Sequence, residues 1–586
     1  MKRILAGILC AAMVAGIALI PSVVEPVKVQ AATAPKPITL TFFSDGNTQI
    51  ASSGVTNDPV AKHIAEVTGV TINNIIGDIS KFRVMVAGGN LPDICCIPND
   101  QLGASLCQNM IKAKQVIPLD SLITQYAPGY AKANPTTIKY SKMFLGAESG
   151  TTGPLYYLPS NVNVAQKDNP NVNGFVGFFT RYDLYQSIGS PTIKNDTDYL
   201  NALKKMVDLQ PKAQNGVKTY ALSGWTDWGL WPYIISYPFA HGYTNSGLSG
   251  SFNLVTMKYE NNYLDPNSVF WKGIRFMYMA NQLGIFDPQA FTQKQAQYDQ
   301  ELKNGSLLVS AYNWTAPDPT QCGNDAGLFI IPGTNPYISQ VFPEDQFQGY
   351  SVAASLCISS KCKYPDRAMQ LIEYANSDDG ARWILNGPKS VTWDVKDNKP
   401  QLIGNYLAFI QSGGAQYPEF GQVGNATYGI SFYSRLVLSQ PVRKGTDGYP
   451  IGINQSIDFK IASASPAQQN FTKVYGKAGD VFPGQAYSNM VNTGLAKNVP
   501  TYPLTSSLGV QPSNFQELSQ ISGQADTYIQ DNLPKFILAK NDADFDAQVA
   551  AAIEAVKAMG MDKVNTAEIK VFQDSAATVQ KFLASK

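Results

Sequence analysis

Histidine and the common catalytic motifs are almost missing from this chain of 586 residues. His63 and His241 are its only histidines, and it has no paired C-x-x-C motif and no G-x-S-x-G motif. A zinc site needs several histidine or cysteine ligands at short spacing. An α/β-hydrolase needs a nucleophile on a G-x-S-x-G turn. We therefore expect no metal site, no cofactor and no histidine-based hydrolase.

An excess of charge of one sign is also lacking. The chain has 45 basic and 44 acidic residues, and no basic stripe or acidic tail stands out. A nucleic-acid partner needs a concentrated basic surface, so this balance argues against that class of partner. The chain has no Walker-type phosphate loop either. Any ATP hydrolysis that its function requires would therefore belong to a separate subunit.

Long apolar runs are missing except at the N-terminus. There, a basic head precedes the apolar run Ile4–Ile20, and small residues lead up to Ala31. This order predicts a signal peptide over residues 1–31. A membrane anchor is the rival interpretation, but the run is at the short end for spanning a bilayer. Leu9 precedes Cys10, where a lipoprotein site needs a small residue. We expect an exported protein, secreted or at the cell surface, without lipidation at Cys10.

Cysteine is scarce, with seven residues in the chain and six after Cys10 is removed. An even number of cysteines in an exported chain is compatible with disulfides, but their pairing does not follow from sequence. Cys357 and Cys362 are the nearest candidates for a local pair. Buried free thiols are an equally good interpretation. The six are Cys95, Cys96, Cys107, Cys322, Cys357 and Cys362.

Strands and helices alternate in the first part of the expected mature chain. Ile38–Phe43 has the pattern of a strand, and Asp58-Pro59 is a typical helix start. VAKHIAEVTG, VTINNII, ISKFRVMVAGG and LPDICCI then read as helix, strand, helix and strand. This order with short connections predicts an α/β fold with a mostly parallel sheet.

The segment VMVAGGNLPDICC marks an abrupt change from helix to strand. Gly88 and Gly89 favour a left-handed turn at the helix end, and Pro92 prevents the helix from resuming. Asp93 then stands at the start of the third strand. Because ligands of open α/β sheets bind at the carboxyl ends of the strands, Asp93 is expected to be structural.

The residues at those carboxyl ends are the first candidates for ligand binding. Ser44, Asp45 and Asn47 follow the first strand, and Asn99 follows the third. All four would face the same cleft.

The motifs and their order resemble one family. GGNLPDI, VIPLDSLI, GPLYYLPSN, RYDLYQSIGSPTIKNDTDYLNALKKM, NQLGIFDPQAF, KYPDRAMQLIEY and DFDAQVAAAIEAVKAMGMDKV follow one another over most of the chain. This series is similar to the extracellular solute-binding proteins of ABC importers, family 1, which bind carbohydrates, and to their large lipoprotein-like subgroup. Asn90 stands where that family usually has Asp.

The resemblance implies a two-lobe fold of the type II periplasmic-binding-protein kind, with a hinge and an interlobe cleft. We expect the first lobe to comprise residues 36–155 and 340–385, and the second 156–339 and 386–586. It also implies a monomeric bacterial binding protein without catalytic activity. Such a protein captures a carbohydrate, with an oligosaccharide favoured by the long loops, and delivers it to the ABC permease.

Aromatic side chains are abundant, at 11% of residues, and some of them suit a sugar. Aromatic rings cover the apolar faces of pyranoses, while amides and carboxylates reach the hydroxyls. Large cores also need aromatics, and Trp231, Trp271 and Trp383 are expected there. Arg181 and Asp183 are expected to form a structural pair. The candidates for ligand binding in these segments are Trp225, Asp227, Trp228, Tyr312, Asn313, Trp314 and Trp393.

Two other functions remain open from sequence. A secreted glycoside hydrolase needs only two carboxylates, and the same aromatic residues would suit its substrate. A peptide-binding or sensor protein would use the same fold.

Overall fold

A computed structural model describes most of the chain after the expected leader. It describes residues 36–45, 53–98, 103–148, 151–160, 162, 176–246, 249–313, 321–339, 354–411, 432–499, 512 and 514–584. The predicted signal peptide and the candidate residues Asn47, Asn99 and Trp314 lie outside these ranges. Within them, no helix has the length and apolar character needed to cross a bilayer.

A six-stranded sheet organises the first body of the protein, called here the sheet body. Its strand order is β2-β3-β1-β4-β13-β5. The central pairs β1–β3 and β1–β4 are parallel, whereas the outer pairs are antiparallel. The strands are β1 (Ile38–Asp45), β2 (Gly54–Val55), β3 (Val70–Gly77), β4 (Ile94–Pro98), β5 (Leu158–Ser160) and β13 (Ala354–Ile358).

The sheet is therefore mixed, and the prediction of a mostly parallel sheet was wrong. The alternation of strands and helices that the sequence predicts accounts for the parallel pairs β1–β3 and β1–β4 but not for the antiparallel ones. Strand β13 belongs to a distant part of the chain and enters the sheet in the opposite direction, next to β4. Such long-range pairing leaves no local signal in the sequence.

Helices cover this sheet on both faces. Asp58 caps the first one, because its carboxylate accepts hydrogen bonds from the backbone N–H groups of Val60 and Ala61, as predicted. The helices are α1 (Pro59–Thr68), α2 (Ile79–Ala87), α3 (Gly103–Lys112), α4 (Asp120–Tyr126), α5 (Pro128–Ala133), α6 (Pro135–Phe144), α13 (Pro365–Asn376) and α14 (Asp378–Asn386).

The turn between α2 and β4 confirms the structural role expected for Asp93. Gly89 takes the left-handed conformation, with φ 62°, while Gly88 stays right-handed. The Asp93 carboxylate accepts hydrogen bonds from the backbone N–H and the hydroxyl of Thr41, at 2.8 and 2.7 Å. These bonds tie the start of β4 to β1, so the glycines and Asp93 set the strand's entry into the sheet.

A second body, called here the helical body, surrounds the antiparallel sheet β10-β6-β11. Its strands are β6 (Val176–Arg181), β10 (Val309–Tyr312) and β11 (Leu328–Ile330). Its helices are α7 (Tyr182–Ser187), α8 (Asp196–Leu209), α9 (Trp231–Ile234), α10 (Ser236–Ala240), α11 (Val269–Gln282), α12 (Gln295–Asn304), α17 (Pro466–Tyr475), α18 (Pro483–Asn492), α19 (Phe515–Ile537) and α20 (Asp542–Ala558). One large core of buried apolar residues joins these elements.

Smaller elements complete the described chain. They are the sheet of β7 (Tyr243–Ser246), β8 (Gly250–Asn253) and β9 (Lys258–Asn261), the parallel pair β12 (Tyr337–Ser339) and β16 (Lys497–Val499), the hairpin of β14 (Trp393–Lys396) and β15 (Lys399–Leu402), the helices α15 (Gly404–Gln411), α16 (Ile457–Ser463) and α21 (Met561–Ala584), and the 3₁₀ turns Pro288–Phe291, Phe432–Leu436 and Ile453–Gln455.

The last helix, α21, packs on both bodies. Its first turns place Met561 in the core of the helical body. Near its end, the ring of Phe582 lies 5.5 Å from that of Phe144 on α6, and the ring of Phe572 stacks 5.0 Å from that of Phe252 on β8. The C-terminal helix thus joins the two bodies through aromatic contacts.

Local sequence misleads at two places. The segment GVKTYALSGW, which its sequence predicts to be a strand, forms isolated bridges, Tyr220 with Leu307 and Leu222 with Phe286. Cys357 and Cys362 are not bonded to each other. They pack into different cores, on opposite sides of the six-stranded sheet, so their closeness in sequence does not bring the sulfurs together.

Candidate functional site

Four aromatic rings meet beside the end of strand β10. The Trp225 ring centroid lies 5.2 Å from that of Trp228, 4.5 Å from that of Tyr298 and 5.8 Å from that of Tyr312. Trp228 also contacts Tyr312 edge to face, at 5.8 Å. These distances are those of favourable aromatic pairs. We call Trp225, Trp228, Tyr298 and Tyr312 the aromatic cluster.

The cluster has a buried base and an exposed edge. Trp225, Tyr298 and Tyr312 are at most 1% exposed, whereas Trp228 is 39% exposed. Trp231 is 37% exposed, so the prediction from sequence that it lies in the core was wrong. The arrangement therefore holds one large apolar ring rigidly from below while leaving part of its surface open to a ligand.

Two polar groups lie within the buried base. The indole N–H of Trp225 is buried, and no hydrogen-bond partner for it lies in the described part of the chain. Most buried donors in proteins are paired, so an unpaired indole N–H is unusual. Burial and the neighbouring Tyr298 raise the pKa of Tyr312, and the Trp231 indole opposes this shift. The Tyr312 hydroxyl consequently keeps its proton at neutral pH.

Gln293 holds the loop that carries Trp225. Its side-chain N–H₂ group donates to the Gly224 carbonyl at 2.8 Å, and its backbone carbonyl accepts from the Thr226 backbone N–H at 3.0 Å. Gly224 is needed for close approach, since a Cβ there would lie 2.5 Å from the Tyr233 ring. The residues on either side of Trp225 are thus both bonded to Gln293, one to its side chain and one to its backbone.

Asp227 anchors the same loop from the outside. Its carboxylate accepts a hydrogen bond from the backbone N–H of Gln295 at 2.9 Å and lies 3.1 Å from the Lys294 ammonium. The Gln295 N–H, followed by Lys294, lowers the pKa of Asp227, so the group is ionised at neutral pH. The loop is therefore pinned to the first turn of α12. The loop is a turn, so Trp225 and Trp228 do not share the face of a helix.

Two carboxyl groups, from buried Asp287 and half-buried Glu301, lie beside the Gln293 side chain. The Gln293 side-chain nitrogen is 3.3 Å from a Glu301 oxygen and 3.5 Å from an Asp287 oxygen. Burial, and then the charge of Asp287, raise the pKa of Glu301 to about 7, while Gln293 opposes the shift. Glu301 therefore titrates near neutral pH next to Gln293, the residue that holds the Trp225 loop.

This arrangement predicts a pH-dependent stability. A carboxyl group with a raised pKa in the folded state stabilises the fold below its unfolded pKa, and this stabilisation is lost as the pH rises through about 7. Relative to wild type, Glu301→Gln should gain on the order of 1–2 kcal/mol in free energy of unfolding between pH 5 and pH 8, allowing for partial exposure.

Urea unfolding at both pH values measures this gain. The comparison with the isosteric variant isolates Glu301 from other acids with a raised pKa, such as Asp299, whose pKa burial raises to about 6. A difference between the two proteins that stays constant with pH would contradict the assignment.

The remaining sequence candidates occupy other places. Ser44 is buried near the carboxyl end of β1, and Asp45 is the last residue of that strand. Asn313 directly follows β10, next to the aromatic cluster. Trp393 is 3% exposed and donates its indole N–H to the Gly387 carbonyl at 2.8 Å. It belongs to a separate small core.

Other sequence expectations concern structural residues. The Arg181 guanidinium makes two hydrogen bonds to the Asp183 carboxylate, at 2.8 and 2.6 Å, so the predicted pair is confirmed. Tyr298 and Gln293 were missed. Both lie in the polar segment around α12, where nothing in the sequence signals contact with Trp225.

The chain belongs to a known family. Residues 64–382, more than half of the chain, match the family of bacterial extracellular solute-binding proteins. No curated protein sequence matches this chain.

Solved structures show the fold. An HMO binding ABC-transporter associated solute binding protein from Bifidobacterium longum infantis is 12% identical, with a TM-score of 0.59 over 93% of this chain and 99% of that one. The alginate-binding protein AlgQ2 is 17% identical, with a TM-score of 0.55 over 92% and 98%. The Streptococcus pneumoniae ABC-transporter protein FusA in complex with kestose is 14% identical, with a TM-score of 0.54 over 92% and 100%. The fold is therefore the two-lobe, periplasmic-binding-protein-like α/β fold.

Proposed function

We propose that this chain is the carbohydrate-capturing component of an ABC importer. The observation that carries the proposal is the aromatic cluster, in which Trp228 is 39% exposed above buried Trp225, Tyr298 and Tyr312. Aromatic faces bind the C–H surfaces of pyranose rings, and rigid ones do so at little entropic cost. Alginate and kestose in the names of similar structures support the same class of ligand.

Polar groups around the cluster suit sugar hydroxyls. Asp227 supplies an ionised acceptor at the loop. Asn313 follows Tyr312 at the end of β10, and its amide offers both a donor and an acceptor. The exposed indole of Trp231 extends the apolar surface beyond Trp228, which favours an oligosaccharide over a single sugar.

The ligand would be enclosed between two lobes. We assign residues 36–155 and 340–385 to the first lobe and most of 156–339 and 386–586 to the second. The segment from Tyr433 to Ile451 packs in the sheet body's core, so we place it with the first lobe. We keep Ser44, Asp45, Asn47 and Asn99 as the candidates for ligand contacts from the first lobe. Trp314 and Trp393 remain candidates whose contacts a ligand complex would test.

Closure would follow from ligand contacts with both walls. A binding protein shifts from open to closed populations by the differential affinity of the closed form for the ligand. The permease subunits of the importer would then receive the closed, loaded protein at the outer face of the membrane. The predicted leader, residues 1–31, supplies the export that this role requires, and we propose that the protein acts as a monomer.

A glycoside hydrolase is the competing function, and the buried acids bear on it. Asp287 and Glu301 are close enough to interact, and the pKa of Glu301 lies near 7, as for a general acid. However, Asp287 is 1% exposed, and the Gln293 side-chain nitrogen contacts both acids while it is bonded to the Gly224 carbonyl of the loop. A catalytic pair must reach the glycosidic bond, so we interpret these acids as supports of the loop.

Calorimetric titration with a panel of oligosaccharides, with peptides as controls, tests the proposal. Reducing-sugar release is followed in the same samples. We expect micromolar or tighter binding of at least one oligosaccharide and no release of reducing ends. Binding of peptides alone would remove the carbohydrate assignment, and steady sugar release would replace the transport function by hydrolysis.

A further inference from the structure

Buried thiols lie on both faces of the six-stranded sheet. Cys95 and Cys96 are neighbours on β4, so their side chains point to opposite faces. Cys95 packs in the core that also contains Cys357, whereas Cys96 packs in the other core of the sheet body. Of these two neighbours on β4, Cys95 is the one that shares a face of the sheet with Cys357.

Cys95 and Cys357 are directly opposite each other. In the antiparallel pair β4–β13, the register places Cys357 across from Cys95. Opposed residues in such pairs have Cα atoms about 4.5–5.5 Å apart, which is within the range that a disulfide spans. Their thiols are also within hydrogen-bonding reach of each other. Both residues are at most 1% exposed.

The other thiols are less well placed for Cys357. Cys107 shares the core but lies on α3, where the Tyr157 hydroxyl donates to its backbone carbonyl at 2.7 Å. Cys362 packs against the other core, and Cys322 lies 3.6 Å from the Arg181 guanidinium in the helical body. Among the described residues, no group of three or more ligands is placed to hold a metal.

We propose that Cys95 and Cys357 form a disulfide in the exported protein. The oxidant is an external disulfide, either a small molecule or a thiol-disulfide oxidoreductase. One thiol loses its proton and attacks that disulfide, which forms a mixed disulfide and releases one external thiolate. The second thiol, also deprotonated, attacks the protein sulfur of the mixed disulfide and releases the other external thiolate. One S–S bond forms in the protein, and the external disulfide takes up the two electrons and two protons as two thiols.

The bond would form during folding and would tie distant parts of the chain together. Complete burial closes both sulfurs to oxidants in the folded state, so pairing of β13 with β4 must precede coverage of the sheet. Strand β13 is where the chain returns from the helical body, and the link closes a loop of about 260 residues (357 − 95). Long closed loops restrict the unfolded ensemble most strongly.

Mass spectrometry of exported protein tests the pair directly. The full gene is expressed in a bacterial host, and protein recovered outside the cytoplasm is alkylated in denaturant. We expect a Cys95–Cys357 cross-link, with the other four of the six described cysteines alkylated. Cys95, Cys96 and Cys107 share one tryptic peptide, as do Cys322 and Cys357. Single serine variants therefore assign the link.

Cys95→Ser and Cys357→Ser should each abolish the link, while Cys96→Ser and Cys107→Ser, the matched neighbours, should retain it. Reductant should lower the unfolding temperature of wild type by roughly 5 °C and leave Cys95→Ser unchanged. The wild-type measurement stands even where a variant fails to fold. Six alkylated thiols, or a link through Cys96, Cys107, Cys322 or Cys362, would overturn the proposal.

Discussion

Replacing Trp228 with alanine should weaken oligosaccharide binding by roughly 30-fold or more, which corresponds to about 2 kcal/mol. Trp228 is the one half-open ring of the aromatic cluster, and Trp225 and Tyr312 hold it from below. Its removal takes away the surface on which a sugar ring stacks, while the buried base keeps its packing. Calorimetric titration with the tightest oligosaccharide of the panel measures the loss.

Two control variants separate stacking from a general effect of aromatic residues. Trp228→Phe keeps a smaller ring and should retain part of the affinity. Tyr364→Ala removes a 45% exposed aromatic residue next to α13, outside the cluster, and should bind like wild type. Unchanged affinity in Trp228→Ala would mean that the ligand binds elsewhere.

Replacing Trp271 with alanine should lower the free energy of unfolding by about 3–5 kcal/mol. Trp271 on α11 is 1% exposed and packs edge to face on Phe270 and on Phe536 of α19, with ring centroids 4.9 and 5.1 Å away. Its indole N–H donates to the Tyr263 carbonyl. The variant therefore leaves a large cavity and an unpaired carbonyl where two long helices meet.

Urea unfolding followed by circular dichroism measures this loss. Trp228→Ala serves as the matched tryptophan control, and its unfolding midpoint should stay close to that of wild type because the ring is partly exposed. A loss below about 1 kcal/mol in Trp271→Ala would contradict the packing of α11 on α19.

Local signals in the sequence predict the start of the fold well. Asp58 and Pro59 begin α1 as expected, because capping acts within three residues. The glycines and Asp93 around the turn before β4 behave as their chemistry requires. The pairing of β13 with β4 was not predicted, because it joins chain segments more than 250 residues apart.

The site was predictable only in part, for the same reason. The density of tryptophans at 225, 228 and 231 marks the loop, and Tyr312 follows from its place at a strand end. Tyr298 and Gln293 complete the site by tertiary contact, and their own segment shows only an ordinary polar helix. Trp393 shows the reverse case: it was a candidate for ligand binding, and nothing in its sequence reveals that its indole N–H is bonded to the Gly387 carbonyl.

A crystal structure of the mature protein with its tightest oligosaccharide tests the central claim most directly. We predict that a sugar ring lies within about 4 Å of the Trp228 indole, at van der Waals distance, and that residues of the sheet body contact the same ligand. A sugar bound away from the aromatic cluster, or held by one lobe alone, would contradict the account of carbohydrate capture between two lobes.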